Sequence, residues 1–425
     1  MKTFDTIVIG NGLMGSAAAR YLSDWQQNVA VVGPGEPTNP QNHQGVFSSH
    51  YDEGRLTRQL SQDPVWSEVA RLAVANYSTL EQRSGVSFHG AVGRVHATRY
   101  TQKEEADLLA FMAKGTAEYG IQYRYFSADD DSWQEMFPFL SFPKGYGLFY
   151  EPGPAGYVNP RAMLKAQNVI AQQNGAHFID DYAVNVESTA VSVTVTTASG
   201  QKLSANKALI ACGAFTNFNS LLTQPIPLRL KTEAMVWGEV SEETAVSLKE
   251  MPGVGYNIDD PDIDDIYMAP PLLYPDGTYK IKMGCNSKGE LWPETLEEVQ
   301  AWFQDGPSED DLPSMSNALQ SVLPEVNFQK LTSHRCIVTY TPSGYPTIDQ
   351  LPTDENGRLF VATGGNGTGA QGSDTLGRLA AGLMHDGRWI DTIPRQVFLA
   401  SNNWGESDKK LTKAQARAMQ KEGGC

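Results

Sequence analysis

Cysteine is scarce in this chain, long apolar runs are missing, and positive charge is outnumbered. Four cysteines in 425 residues, Cys212, Cys285, Cys336 and Cys425, form no CxxC pair and no framework spacing. That excludes a disulfide-stapled fold and fits a reducing cytoplasm. No stretch of about 18 apolar residues occurs, so no membrane-spanning helix is expected. The chain opens directly on a strand-like run, without a basic region or a cleavage site, so no secretory signal is expected. Lysine and arginine number 33 against 49 aspartates and glutamates, a formal charge of −16. Such a balance argues against nucleic acid and anionic membrane surfaces as partners. What is present suits a soluble globular protein: 40% apolar residues, no internal repeat, and a length that calls for two or three domains.

One stretch organises the rest. Thr6-Ile-Val-Ile9 favours a strand and runs straight into Gly10-x-Gly12-x-x-Gly15. Apolar residues at 13, 17 and 21, and at 14, 18 and 22, then give a helix, and Val29 to Val32 a second strand. A β-turn-α-β unit of about 30 residues is the length that dinucleotide binding needs. Gly10 permits the tight turn, Gly12 lets backbone approach a pyrophosphate, and Gly15 lets the helix pack close to the strand. The helix N-terminus then offers unpaired N–H groups and partial positive charge to phosphates.

Farther along, helical spacing is expected at 66–80, 103–112, 161–173, 295–304 and 313–322. Asn159-Pro160 serves as cap and first position of the third of these. Strands at 183–197 and 202–211 alternate and read as antiparallel, with Val191, Val193 and Val195 on one face. Residues 207–214 read as a buried strand ending at a glycine turn. Near the end, 358–363 is a strand, 364–372 is glycine-rich and 373–384 is a helix. The polar tail 406–425 has helical spacing and is expected on the surface. The acidic run 259–265 lacks the glycine and closing glutamate of a calcium loop, so it reads as a solvated loop and no metal is expected.

A nucleotide-binding unit completed by a strand and glycine-rich turn some 350 residues later implies an interrupted domain. NAD-binding domains are usually contiguous, so the interruption favours FAD. The expected fold class is α/β: a Rossmann-like FAD-binding domain of the GR2 type, with an inserted, mostly antiparallel β-sheet substrate domain. The division places 1–80, 150–220 and 325–392 in the first, 81–149 and 221–324 in the second, and 393–425 in a surface tail.

Taken in order, these features resemble the D-amino-acid-oxidase-like flavoproteins, in particular monomeric sarcosine oxidase and pipecolate oxidase. The likeness runs to about residue 390. It is carried by the first βαβ unit with Met14-Gly15, by Ser48-Ser-His-Tyr-Asp-Glu-Gly-Arg-Leu-Thr-Arg58, and by Glu151-Pro-x-x-x-Gly156. Ile281-Lys-Met-Gly284, Cys336-x-x-Thr-x-Thr through Ile348-Asp349, and the turn 364–372 complete it.

The resemblance implies FAD held by Gly10, Gly12, Met14, Gly15, Ser48, Ser49, Arg55, Val184, Gly367, Thr368, Gly369 and Gln371, and attached through a thioether at Cys336. It puts Arg55 beside the flavin, and Arg58, Tyr267, Tyr51 and Gln371 at the substrate. It puts Lys282 over the flavin as the residue that activates oxygen, although strand alternation alone would send Lys280 and Lys282 to a solvent face. Four positions depart from the family. Gly33 stands where an acid would bind the adenosine ribose, leaving Glu36 or water to reach it. Tyr51 and Asn286 stand for histidines, and Gln371 stands for a lysine that helps hold the substrate carboxylate.

The implied activity is oxidation of a small amine at its C–N bond, giving an imine and, with oxygen as acceptor, hydrogen peroxide. The alternatives are a dehydrogenase passing electrons to a carrier, or a flavin-holding subunit of a larger complex. A monomer or small homo-oligomer is expected.

Overall fold

The computed structural model describes residues 2–25, 27–307 and 309–404, so the polar segment 406–425 lies outside the described residues. Strand Thr3–Ile9 sits inside an eight-stranded sheet, flanked in parallel by Val29–Val32 and Lys202–Ile210. His177–Ile179 extends the sheet on one side and Leu359–Thr363 on the other, again in parallel. A parallel sheet covered on both faces demands unbroken apolar runs. Ile7, Val8, Ile9 and all of Val29–Val32 are at most 1% exposed.

Helices Leu13–Asp24, Pro64–Ser84, Pro160–Gln173 and Gly369–Asp386 cover one side of this sheet. The first and last lie in contact because Gly377 has no side chain; a Cβ there would collide with Ala17. Buried Arg20 donates to Asp374 at 2.6 Å and to Gln167 Oε1 at 3.0 Å, joining three of the helices. Asn159 caps Pro160–Gln173 with Pro160 in its first turn, the arrangement its sequence calls for. The hairpin Ala183–Ser188 to Val193–Thr197 is antiparallel, with Val193 and Val195 buried. Val191 was expected on that face but is 80% exposed. It lies in the connecting turn, where strand alternation no longer applies.

A second sheet of nine strands is mostly antiparallel. Its order runs Lys330–Tyr340, Arg229–Val240, Tyr279–Ser287, Ile263–Met268, Gly253–Tyr256, Arg94–Thr98, Gly147–Glu151 and Arg124–Phe126, with Leu272–Leu273 paired at the side of the third. Strand Lys330–Tyr340 forms its edge, although the sequence division groups 325–392 with the first sheet. Lys280 and Lys282 are both buried rather than solvated, because the face they share is turned into the molecule. Among the described residues no helix is long and apolar enough to cross a membrane.

Candidate functional site

Between the two sheets runs a cavity of about 340 Å³. At one end is the turn Gly10–Gly15. Gly10 has φ +104°, and a Cβ on it would strike the carbonyl of Ala211. Gly15 is closed off in the same way by the carbonyl of Gly10. A Cβ on Gly12, by contrast, would meet nothing within 4 Å: its open side faces the cavity. Helix Leu13–Asp24 has no side-chain cap and no acid in its first turn. Its N–H groups and positive pole are therefore left for a ligand.

A second helix start meets the same cavity. Gly369–Asp386 also lacks a side-chain cap and a first-turn acid. The loop before it is fixed by Asn366, whose side chain donates to Gly364 O at 2.7 Å and accepts from Thr341 N at 3.0 Å. Gly364 and Gly367 have φ of +85° and +72°, conformations that need glycine. The Met14 methyl lies 3.1 Å from where a Gly369 Cβ would stand, so the two helix starts meet across Met14. Gly367, Thr368, Gly369 and Gln371 all line the cavity.

The rest of the cavity is the inner face of the nine-stranded sheet. Gly284 is opposite Tyr267 across two strands, and a side chain there would overlap the tyrosine ring, which lies flat over it. The Tyr267 hydroxyl donates to Glu233 at 2.6 Å. Burial, then Glu233, pushes the pKa of Tyr267 well above its ordinary value, so it stays a neutral donor. Cys336 lines the cavity beside Glu233, its register partner on the neighbouring strand. Burial raises its thiol pKa, against the pull of the Arg55 charge.

Behind Tyr267 lies a cluster of charge whose arginine, Arg55, reaches the cavity. Lys282 Nζ is 2.6 Å from Asp52 and 3.1 Å from the Gly54 carbonyl oxygen, and 5.1 Å from the centre of the Tyr267 ring. Arg55 also pairs with Asp52, and donates to Ser49 O at 2.7 Å. Burial opposes the Asp52 charge, but Lys282 and Arg55 overcome it and hold the carboxyl far below its usual range. Burial and Arg55 lower the Lys282 pKa. The trio is one carboxylate between two cations, formally +1. His334, nearby, is held neutral by burial, its pKa lowered to about 3.

Of the residues singled out from sequence, Gly10, Gly12, Met14, Ser48, Ser49, Arg55, Arg58, Tyr267 and Cys336 line this one cavity, with the four from the second turn. Gly15 acts just behind the lining. Lys282 stands one layer back. Three others lie elsewhere. Both Glu36 oxygens are taken by Arg161, at 2.7 and 2.6 Å. Val184 follows the lining residues Tyr182 and Ala183 but is not itself one of them. Tyr51 packs against the apolar cluster that holds Phe47 and Phe303, behind the lining, and is not itself part of it. Arg58 N donates to Gln371 Oε1 at 3.0 Å, which fixes the glutamine. Gln371 is 2% exposed, and its Nε2 has no partner among the described residues. It is a donor awaiting an acceptor.

Sequence reading missed Asp52, Glu233, Asp265, Arg94 and His96. The run 259–265 is not all solvated loop, because a strand begins at Ile263 and turns Asp265 into the cavity. Strand period was the available signal: Asp265 lies two before Tyr267, on the same face.

A family model described as FAD dependent oxidoreductase matches residues 5–383. Monomeric sarcosine oxidase from Bacillus sp. (strain NS-129) is 24% identical over 396 residues, covering 91% of this chain and 94% of its own. N-methyl-L-tryptophan oxidase from Yersinia pestis (strain Pestoides F) is 24% identical over 386 residues, covering 90% and 95%. Among solved structures, NikD, described as an unusual amino acid oxidase essential for nikkomycin biosynthesis, superposes with a TM-score of 0.75 at 18% identity, covering 97% of this chain and all of its own. Glycine oxidase from Geobacillus kaustophilus gives 0.71 at 18% identity, covering 95% and all of its own.

Proposed function

Because the chain belongs to the FAD dependent oxidoreductase family, with FAD as its cofactor, we propose that it oxidises a small amine at a carbon–nitrogen bond and passes the electrons to oxygen. The observation that carries this reading is the continuity of the cavity. It runs from the uncapped helix behind Gly12, past a second uncapped helix behind Thr368, to Tyr267 and Arg58. These residues fit FAD. The open side of Gly12 leaves room for a pyrophosphate, and the uncapped start of helix Gly369–Asp386 offers N–H groups farther along.

In this reading Gly10, Gly12, Met14 and the N–H groups of helix Leu13–Asp24 hold the phosphates. Gly367, Thr368 and Gly369 face the flavin, and Ser48, Ser49 and Arg55 lie along its passage. Cys336 is the point of covalent attachment. The ribose is left to groups other than Glu36, whose charge is spent on Arg161. Bound FAD supplies the acceptor for a hydride from the carbon next to the amine nitrogen.

The protein's part is to bind and orient. Arg58 and the Gln371 amide hold an acidic group of the substrate, the arginine through two parallel hydrogen bonds. Tyr267, kept neutral, turns its ring and hydroxyl into the pocket. The imine hydrolyses on release. Lys282, kept in place by Asp52, puts a buried positive charge near the point where oxygen collects two electrons and two protons to become hydrogen peroxide. Low local dielectric makes that charge count.

The test is peroxide production by purified, yellow protein given a panel of secondary and primary amines. Peroxide in step with amine consumption supports the reading. Amine consumption that needs an added electron carrier would instead make the protein a dehydrogenase.

A further inference from the structure

A second guanidinium, which the amine-oxidising reading leaves unused, lies on the floor of the pocket. Arg94 lines the cavity from strand Arg94–Thr98. Its guanidinium lies over Gly255 on the adjoining strand: a Cβ on Gly255 would come within 2.9 Å of Arg94 Nη2. In the sheet register Gly255 has His96 on one side and Tyr267 on the other. A bare backbone position beside Tyr267 is what lets a long cationic side chain reach the pocket floor.

Arg58 lines the same cavity, and both arginine charges act on one carboxylate. Glu151, 1% exposed, is the register partner of Arg94. It accepts from Gln59 N at 2.8 Å and Leu60 N at 3.3 Å, the two residues after Arg58. Burial raises its pKa, while those N–H groups and the charges of Arg94 and Arg58 pull it down. Two guanidinium groups against one carboxylate leave a formal +1 in this part of the cavity. Each arginine presents five N–H donors in a fork, so one that serves a neighbour keeps donors for a ligand.

We infer that Arg94 is a second substrate-binding cation, and that the acid group of the substrate is held between the Arg58 and Arg94 guanidinium groups. This rests on the amine-oxidising reading above, in which the reacting C–N lies by the flavin that Lys282 faces. The strand of Gly255 is two places from the strand of Lys282, about 10 Å at ordinary strand spacing. The substrate class narrows to amines whose acid group sits several bonds from the reacting C–N, on a longer arm than the single carbon of sarcosine.

The test titrates the holoprotein and follows the shift of the flavin spectrum on binding. The probes are butanoate, pentanoate and hexanoate, each paired with its carboxamide, which keeps the shape and lacks the charge. In at least one pair the carboxylate should bind about tenfold tighter or more, the order expected of hydrogen bonds between charged groups. The deciding variant is Arg94→Gln combined with Glu151→Gln. It removes one charge of each sign, so the formal +1 stays with Arg58 and no unpaired acid is buried. It should abolish most of the preference. Should that variant not hold flavin, Arg94→Lys, which loses the fork, should lower the same ratio. A native protein that favours no carboxylate overturns the inference. So does a variant that keeps the native preference, because Arg94 would then serve only to balance Glu151. The titration needs no turnover, so a flavin that no amine bleaches would sink amine oxidation and leave the binding ratio to decide this assignment.

Discussion

Asp52 and Lys282 form an ion pair of 2.6 Å in which neither side chain is more than 1% exposed. The pair joins a loop just ahead of strand Arg55–Thr57 to the middle of the nine-stranded sheet, 230 positions later. Arg55 shares the same carboxylate, so the lysine charge is fixed in place without being cancelled.

The first prediction follows from that charge. Lys282→Met should slow reoxidation of the reduced protein by oxygen far more than it slows anaerobic reduction by amine. A unit charge at short range in a low-dielectric site is worth on the order of 4 kcal/mol. Equal slowing of both half-reactions would make Lys282 a structural residue only. Asp52→Asn should share part of the oxygen defect by freeing the lysine to move.

Cys336 is the second. Acid precipitation of the native protein should leave the yellow colour in the pellet, and Cys336→Ala should release it to the supernatant. Release from the native protein would rule out the thioether.

The third concerns Gln371. The glutamine donates a hydrogen bond but adds no charge, so a carboxylate substrate loses roughly 1.5–3 kcal/mol relative to a lysine in its place. Sarcosine should be a poor substrate, and Gln371→Lys should improve its kcat/KM about ten- to a hundredfold. Efficient turnover of sarcosine by the native protein, unimproved by the lysine, would contradict this account of the pocket.

Much of the fold was legible because its signals are local. The turn Gly10–Gly15 is a run of backbone requirements, and Asn159-Pro160 is a helix start that needs no partner. The site was less legible where its parts come from pairing. Asp265 reads as one more acid in a charged run until its strand register against Asn286 turns it inward. Lys280 and Lys282 look solvated until the face they share is covered. Glu36 was a reasonable ribose ligand until Arg161, 125 positions away, claims both its oxygens. None of these depends on residue type alone, and each needs a neighbour that the linear order hides.

The fourth prediction is acid sensitivity. Burial lowers the pKa of both His50 and His334 to about 3. An unfolded chain holds these imidazoles near 6.5, so it binds more protons between the two values. Folding stability should therefore be complete above about pH 6.5 and fall as pH drops toward 3. Each histidine adds up to about 1.4 kcal/mol per pH unit. Denaturant titrations at pH 7 and 5 would check this. His334→Gln should reduce the dependence, and an unchanged slope would place the sensitivity elsewhere.

The most direct test of the central claim is a single cycle on the purified holoprotein. Amines are added without oxygen and the flavin absorbance is followed; air is then admitted. The account predicts bleaching by a small amine, return of the yellow colour in air, and hydrogen peroxide formed in step with that return. A flavin that no amine bleaches, or one that stays bleached in air until an electron carrier is supplied, would contradict it.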